Sequence, residues 1–238
     1  MSRYLVELTG EIADLEDFPF WLPDGDVYAF AEENCYFLTG PALQVESPEL
    51  VLEVSEQLLD ELVGVATLLW PSLRRPTLGA VCLEDETGKR KRYHFASIEE
   101  GIRLRDRTDA TVNGMPSVRS GPTEAQRLLE ASRRAKHAQT ALLLWSDSHR
   151  TWPRLYRILE ELEAELGTSV SKAGLCSDNE RDRFNQSANS SAVAGKDSRH
   201  AAGKFAPPKR PMSLSEAASL IGSLLQGTLL AVQARNAA

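Results

Sequence analysis

The sequence predicts an α+β protein, with a small mixed sheet and one helix in its N-terminal part and an antiparallel helical bundle in its C-terminal part. Three observations carry this expectation. The first hundred residues hold short aromatic and β-branched runs separated by turn residues. After about residue 120, apolar side chains recur at three- and four-residue spacing instead. Between the two lies ATVNGMPSVRSGP, residues 110–122, with two glycines, two prolines and no sustained periodicity. An α+β domain over 1–115 and a helical domain over 120–234 follow, and a 238-residue chain that is 42% hydrophobic can fill either one core or two.

Taken in order, Tyr4 to Leu8, Val27 to Phe30 and Tyr36 to Leu38 read as three short strands, with Pro23-Asp24-Gly25 as a turn between the first two. From Pro48 to Trp70 the spacing becomes helical, and Leu50, Val54, Leu58, Leu62 and Val65 form one stripe. Ser47 is placed to cap this helix, Pro48 occupies its first turn and Pro71 ends it. Leu78 to Leu83 then reads as a strand, Asp85 to Gly88 as a tight turn and Arg90 to Phe95 as the returning strand of a hairpin.

The C-terminal half is predicted as four helices. Thr123 and Gln126 stand at capping-box spacing before a helix that the pattern carries to about Trp145. Thr151 caps a second, with Leu155, Ile158, Leu159 and Leu162 facing inward, Gly167 stopping it, and Glu160, Glu161, Glu163 and Glu165 as a solvated acidic side. A third is expected from about Ser177 to Ser190. The last opens on Ser213 and Glu216, a second capping box. Amphipathic helices of this kind bury their stripes against one another, so a bundle is the economical arrangement.

Composition narrows the classes of function. The net charge of −7 is unevenly spread, because residues 1–70 hold fifteen acidic side chains and a single basic one, Arg3, whereas the remainder is net positive. That asymmetry suits either an acidic face and a basic face or two oppositely charged halves attracting each other. The N-terminus does not read as a basic leader and no segment reads as a membrane span, so the protein is expected in the cytoplasm, away from membranes. Cys35, Cys82 and Cys176 are three scattered thiols without a Cys-x-x-Cys pair, so neither a disulfide framework nor a thiolate zinc site is expected. His94, His137, His149 and His200 likewise lack metal-ligand spacing, and the common phosphate-loop, dinucleotide and hydrolase signatures are missing, so no metal or cofactor is assigned.

Two constellations remain. Lys89, Arg90, Lys91 and Arg92 are followed directly by Tyr93, His94 and Phe95, a basic run beside aromatics that could hold phosphates and stack bases. The same run is also the ordinary protection of an exposed sheet edge. Arg103, Arg105 and Arg107 would extend it along one face of a strand. The second constellation is RDRFNQSANSSAVAGKDSRH, residues 181–200, in which Asn185, Ser187 and Asn189 are candidate ligand-binding residues and Arg199 and His200 a candidate catalytic pair. In a catalytic version His200 moves a proton and Arg199 steadies phosphate charge, with Asn185 and Asn189 positioning the ligand. In a structural version the same residues brace the bundle.

The order of a long helix, a helix beginning Trp152-Pro153-Arg154-Leu155-Tyr156, the elements Ser187-Ala188-Asn189, Arg199-His200 and Pro211-Met212-Ser213-Leu214, and a closing helix resembles HEPN-type helical domains over the C-terminal half. The resemblance implies a dimeric, metal-independent ribonuclease of bacterial stress or phage defence, or a non-catalytic RNA- or protein-binding relative. Arg199 and His200 adjoin here, whereas the resemblance calls for an Arg and a His four to six residues apart. The expectation is therefore an accessory protein binding RNA or a protein, with a toxin-like endoribonuclease and a small-ligand sensor or assembly subunit as alternatives, and with a homodimer among the expected partners.

Overall fold

A computed structural model of the chain describes residues 2–95, 122–198 and 206–237. The fold class is α+β, and the chain divides into two compact units, Met1–Leu59 with Ser72–Gln126, and Asp60–Pro71 with Arg127–Ala238. The helix α3 (Pro48–Leu69) contributes to both.

In the first unit the strands are β1 (Arg3–Thr9), β2 (Tyr28–Glu32), β3 (Cys35–Thr39), β4 (Thr77–Glu84) and β5 (Arg90–Tyr93). They form one sheet in the order β2-β3-β1-β4-β5, and all four pairings are antiparallel, a simpler sheet than the mixed one expected. Val6 pairs with both Leu38 and Val81, Leu38 pairs with Ala29, and all four are buried, so one apolar row crosses four strands. Leu5, Phe37, Ala80 and Cys82 form a buried cluster joined by Phe30 and Cys35. Strand alternation explains the pattern, since neighbours along a strand face opposite sides.

Turn chemistry sets the register. Glu33 and Asn34 link β2 to β3 with φ of 48° and 66°, a two-residue hairpin turn with both central residues left-handed. No Asn-Gly or Asp-Gly announces it. Gly40 has φ 135°, and a Cβ there would fall 2.3 Å from the Asp26 carbonyl oxygen, so only glycine fits. Asp85 organises the β4–β5 turn by accepting from Thr87 N, Thr87 Oγ1 and Lys89 N. Those bonds hold its carboxyl below the ordinary value. Beyond the expected elements, two single-turn helices, α1 (Ile12–Leu15) and α2 (Phe18–Trp21), lie between β1 and β2. Thr123 Oγ1 donates to the Trp21 carbonyl at 2.5 Å and Gln126 Nε2 to that of Asp24 at 2.8 Å.

The second unit is built from the end of α3 with α4 (Glu124–Arg133), α5 (Lys136–Ser146), α6 (Trp152–Leu166), α7 (Asp178–Asn189), the one-turn α8 (Ser191–Ala194) and α9 (Leu214–Ala237). The capping boxes at Thr123, Ser177 and Ser213 all form, as does the Thr151 cap. The helix expected to run unbroken to Trp145 instead breaks at Ala135, which is extended with φ −136° and ψ 99°. Neither glycine nor proline marks the break. Buried Glu61 accepts from Arg133 Nε at 2.8 Å and from Gln139 Nε2 at 2.7 Å, gripping α4 and α5 on either side of it. A tertiary contact thus overrides a continuous local preference.

The acidic side of α6 also differs from expectation. Glu161 is buried and binds both His137 and Arg157, Glu163 binds Arg181, and Glu165 binds Arg235. These three carboxylates fasten α6 to α5, α7 and α9, Glu161 from a buried position and the other two half-buried. In α9, the segment Leu214–Arg235 is long and apolar enough to cross a membrane by length and composition, contrary to the expectation that no segment is. Here Ala217, Ile221, Leu224, Leu225, Leu229 and Val232 are buried in the unit's core. Gly222 admits the Trp145 ring, which would lie 3.0 Å from a Cβ at that position.

Candidate functional site

The polar segment is built on α7 and the turns that follow it. Ser177 and Glu180 start the helix through a reciprocal capping box, and Phe184 anchors it by packing at 6.0 Å from Trp152 and 6.2 Å from Tyr156, ring centre to ring centre. Ser187 is fully buried, and its Oγ accepts from Met212 N at 2.9 Å. Arg183 donates to the carbonyls of Arg210 at 2.7 Å and Pro211 at 3.1 Å, and to Glu216 Oε1 at 2.9 Å. The Ser-Ala-Asn and Pro-Met-Ser-Leu elements therefore meet, and α7 holds the approach to α9.

Asn189 Nδ2 donates to the Asn185 carbonyl at 2.8 Å, and Ser198 Oγ to the Asn189 carbonyl at 3.0 Å. The side-chain oxygens of Asn185, Asn189 and Ser190 are buried without a hydrogen-bond partner. Arg199 and His200 lie outside the described residues, as do Arg103, Arg105 and Arg107 and all but the last residue of the expected boundary at 110–122.

The basic run lies on β5, an edge strand, and ends as a strand at Tyr93. Arg90 forms ion pairs with Glu84 and Glu32 and sits 5.1 Å from the Phe37 ring centre. Arg92 pairs with Glu7, and Lys91 lies 4.9 Å from the Tyr93 ring. Lys89 is exposed in the turn. Carboxylates from β1, β2 and β4 thus face this run and offset the charge of its two arginines. Arg3 continues the network, donating to Glu84 at 2.5 Å. These hydrogen bonds raise the Arg3 pKa, while burial works against them.

An open groove of about 250 Å³ lies beside the polar segment. Trp152, Tyr156 and Ala188 give it an apolar lining, and Arg157, Glu160 and Asp197 add charge. Periodicity places Tyr156 and Glu160 on one face of α6, but only the fold brings Ala188 and Asp197 against them.

At the α5–α6 turn, Asp147 accepts from His149 N at 2.7 Å and pairs with Arg154, whose Nη1 also donates to the His149 carbonyl at 2.9 Å. His149 and Asp147 thus serve as turn residues, and the backbone bond from His149, burial notwithstanding, keeps the Asp147 carboxyl below its ordinary value. His137 Nδ1 lies 2.6 Å from Glu161 Oε2. Among the described residues, no group of three or more His, Cys, Asp and Glu side chains is placed to hold a metal ion.

No family model, curated protein or solved structure matches the chain.

Proposed function

We propose that the chain is a cytoplasmic bacterial accessory protein whose helical unit is a non-catalytic, HEPN-like protein-binding module serving stress or phage defence. The observation that carries the reading is the groove along α6. Aromatic rings line it together with the charged Arg157, Glu160 and Asp197, the mixture of apolar and polar groups that protein interfaces cover. Beside it, Ser187 and Arg183 spend their hydrogen bonds on the chain's own backbone, the job of a brace. Arg90 and Arg92 are engaged by carboxylates, which favours a protein partner over an RNA backbone.

A photo-reactive amino acid placed at Pro153 or at Arg157 in the producing cell tests this reading, with the exposed Lys172 as control position. A discrete protein adduct is expected from 153 and 157, not from 172, and Asp197→Lys should abolish the adduct at 153. Adducts to RNA alone, equal labelling from 172, or metal-independent cleavage of RNA by the purified chain would each count against it.

A further inference from the structure

Among the described residues, Arg150 is a half-buried cation packed on an aromatic ring. Its guanidinium carbon lies 3.9 Å from the Trp145 ring centre, within cation–π range. Its Nη1 is buried without a hydrogen-bond partner, and so is Trp145 Nε1. Asp147, the carboxylate whose charge acts on Arg150, is committed to Arg154 and to His149 N. Burial accordingly pulls the Arg150 pKa down, Arg154 adds to the effect and Asp147 opposes it. Removing a guanidinium from water without a paired anion is costly, and contact with one ring offsets only part of that cost. Contact with the ring restrains the guanidinium and with it the directions of its donors.

We infer that the Trp145–Arg150 shelf is a recognition site for a carboxylate, supplied by an acidic side chain of a protein partner. With Nη1 buried, the edge left to a carboxylate is the one formed by Nε and Nη2, which can meet it with two parallel donors. Arg154 beside it adds positive charge, and the first turn of α6, opening at Trp152 after the Thr151 cap, adds the positive end of a helix dipole. The Asp147–Arg154 pair keeps the local positive charge small, which suits a single carboxylate better than the dense charge of a nucleic-acid backbone.

The test follows the indole N–H resonance of Trp145, assigned with a Trp145→Phe variant, in the full-length protein at constant ionic strength. The probes are a short glutamate-rich peptide with blocked ends, a polyuridine oligonucleotide of equal charge, and chloride. The peptide is expected to shift the resonance saturably. Arg150→Gln should weaken that binding at least tenfold and Arg150→Lys severalfold, because lysine keeps the charge and loses the fork. Arg90→Gln should leave it unchanged. A shift that does not saturate, one that survives Arg150→Gln, or tighter binding of the oligonucleotide than of the peptide would overturn the assignment. An Arg150 that only packs against Trp145 would lower the unfolding temperature when replaced by Lys and leave peptide binding unmoved.

Discussion

The hydroxyl of Ser187 accepts a hydrogen bond from the backbone N–H of Met212 at 2.9 Å, and both residues are buried. Twenty-five positions apart in the chain, they join α7 to the approach to α9. Ser187→Ala removes the acceptor and leaves a buried amide unsatisfied, which costs about 1 to 3 kcal/mol. Urea denaturation should show a lower midpoint for the variant. An unchanged midpoint would mean that this contact does not hold the two elements together.

Glu216 caps α9 and reaches back to Arg183. The backbone N–H of Ser213, the Arg183 guanidinium and the Ser213 hydroxyl lower its carboxyl from 4.5 to about 2. A carboxyl lowered on folding stabilises the fold above its unfolded value, and that stabilisation is lost as the pH falls through the folded one. Glu216→Gln should therefore lower the unfolding temperature at pH 7, and the gap from the unaltered protein should close between about pH 4.5 and pH 2. A gap that is constant with pH would separate the cap from the charge.

Gly64 lies within α3, where helix propensity favours alanine by about 1 kcal/mol. A Cβ there would stand 2.8 Å from Leu142 Cγ and 2.9 Å from the Leu142 carbonyl oxygen. Overpacking against a backbone atom costs about 1 to 3 kcal/mol, so Gly64→Ala is expected to be destabilising on balance. A rise in thermal stability would show that α3 and α5 do not approach this closely.

Cys82 is buried in the sheet, and burial pushes its thiol pKa up. Native protein treated briefly with a maleimide at pH 7 should remain unlabelled at Cys82, whereas denatured protein should be labelled at all three cysteines. Mass spectrometry of the peptides reads the result. Rapid native labelling of Cys82 would argue against the packing of Leu5, Phe37 and Ala80 around it.

Much of the fold was legible because its signals are local. A capping box needs residues three apart, a strand needs alternation and a helix needs its stripe, so Ser177, Ser213, Thr151 and the run from Pro48 could be read directly. The candidate site was legible only in part. Ser187 could be singled out as a polar residue in an unusual segment, but not as the acceptor for Met212, and nothing in the sequence marks Arg183 as the residue that holds the approach to α9. Arg150 and Trp145 are each ordinary by sequence. Their contact and the unpartnered Nη1 of Arg150 exist only in three dimensions.

What the sequence by itself determined is the α+β class, most helices and strands, and the caps and turns that delimit them, since those depend on backbone preferences and on side chains a few positions away. The tertiary structure decided the rest. It broke the helix at Ala135 through Glu61, turned the glutamates of α6 from a solvated face into fasteners, neutralised Arg90 and Arg92 with carboxylates from other strands, and assembled the groove from α6, α7 and the turn at Asp197. A charge or a donor acquires its role from the partner that meets it, and for these residues that partner lies far away along the chain.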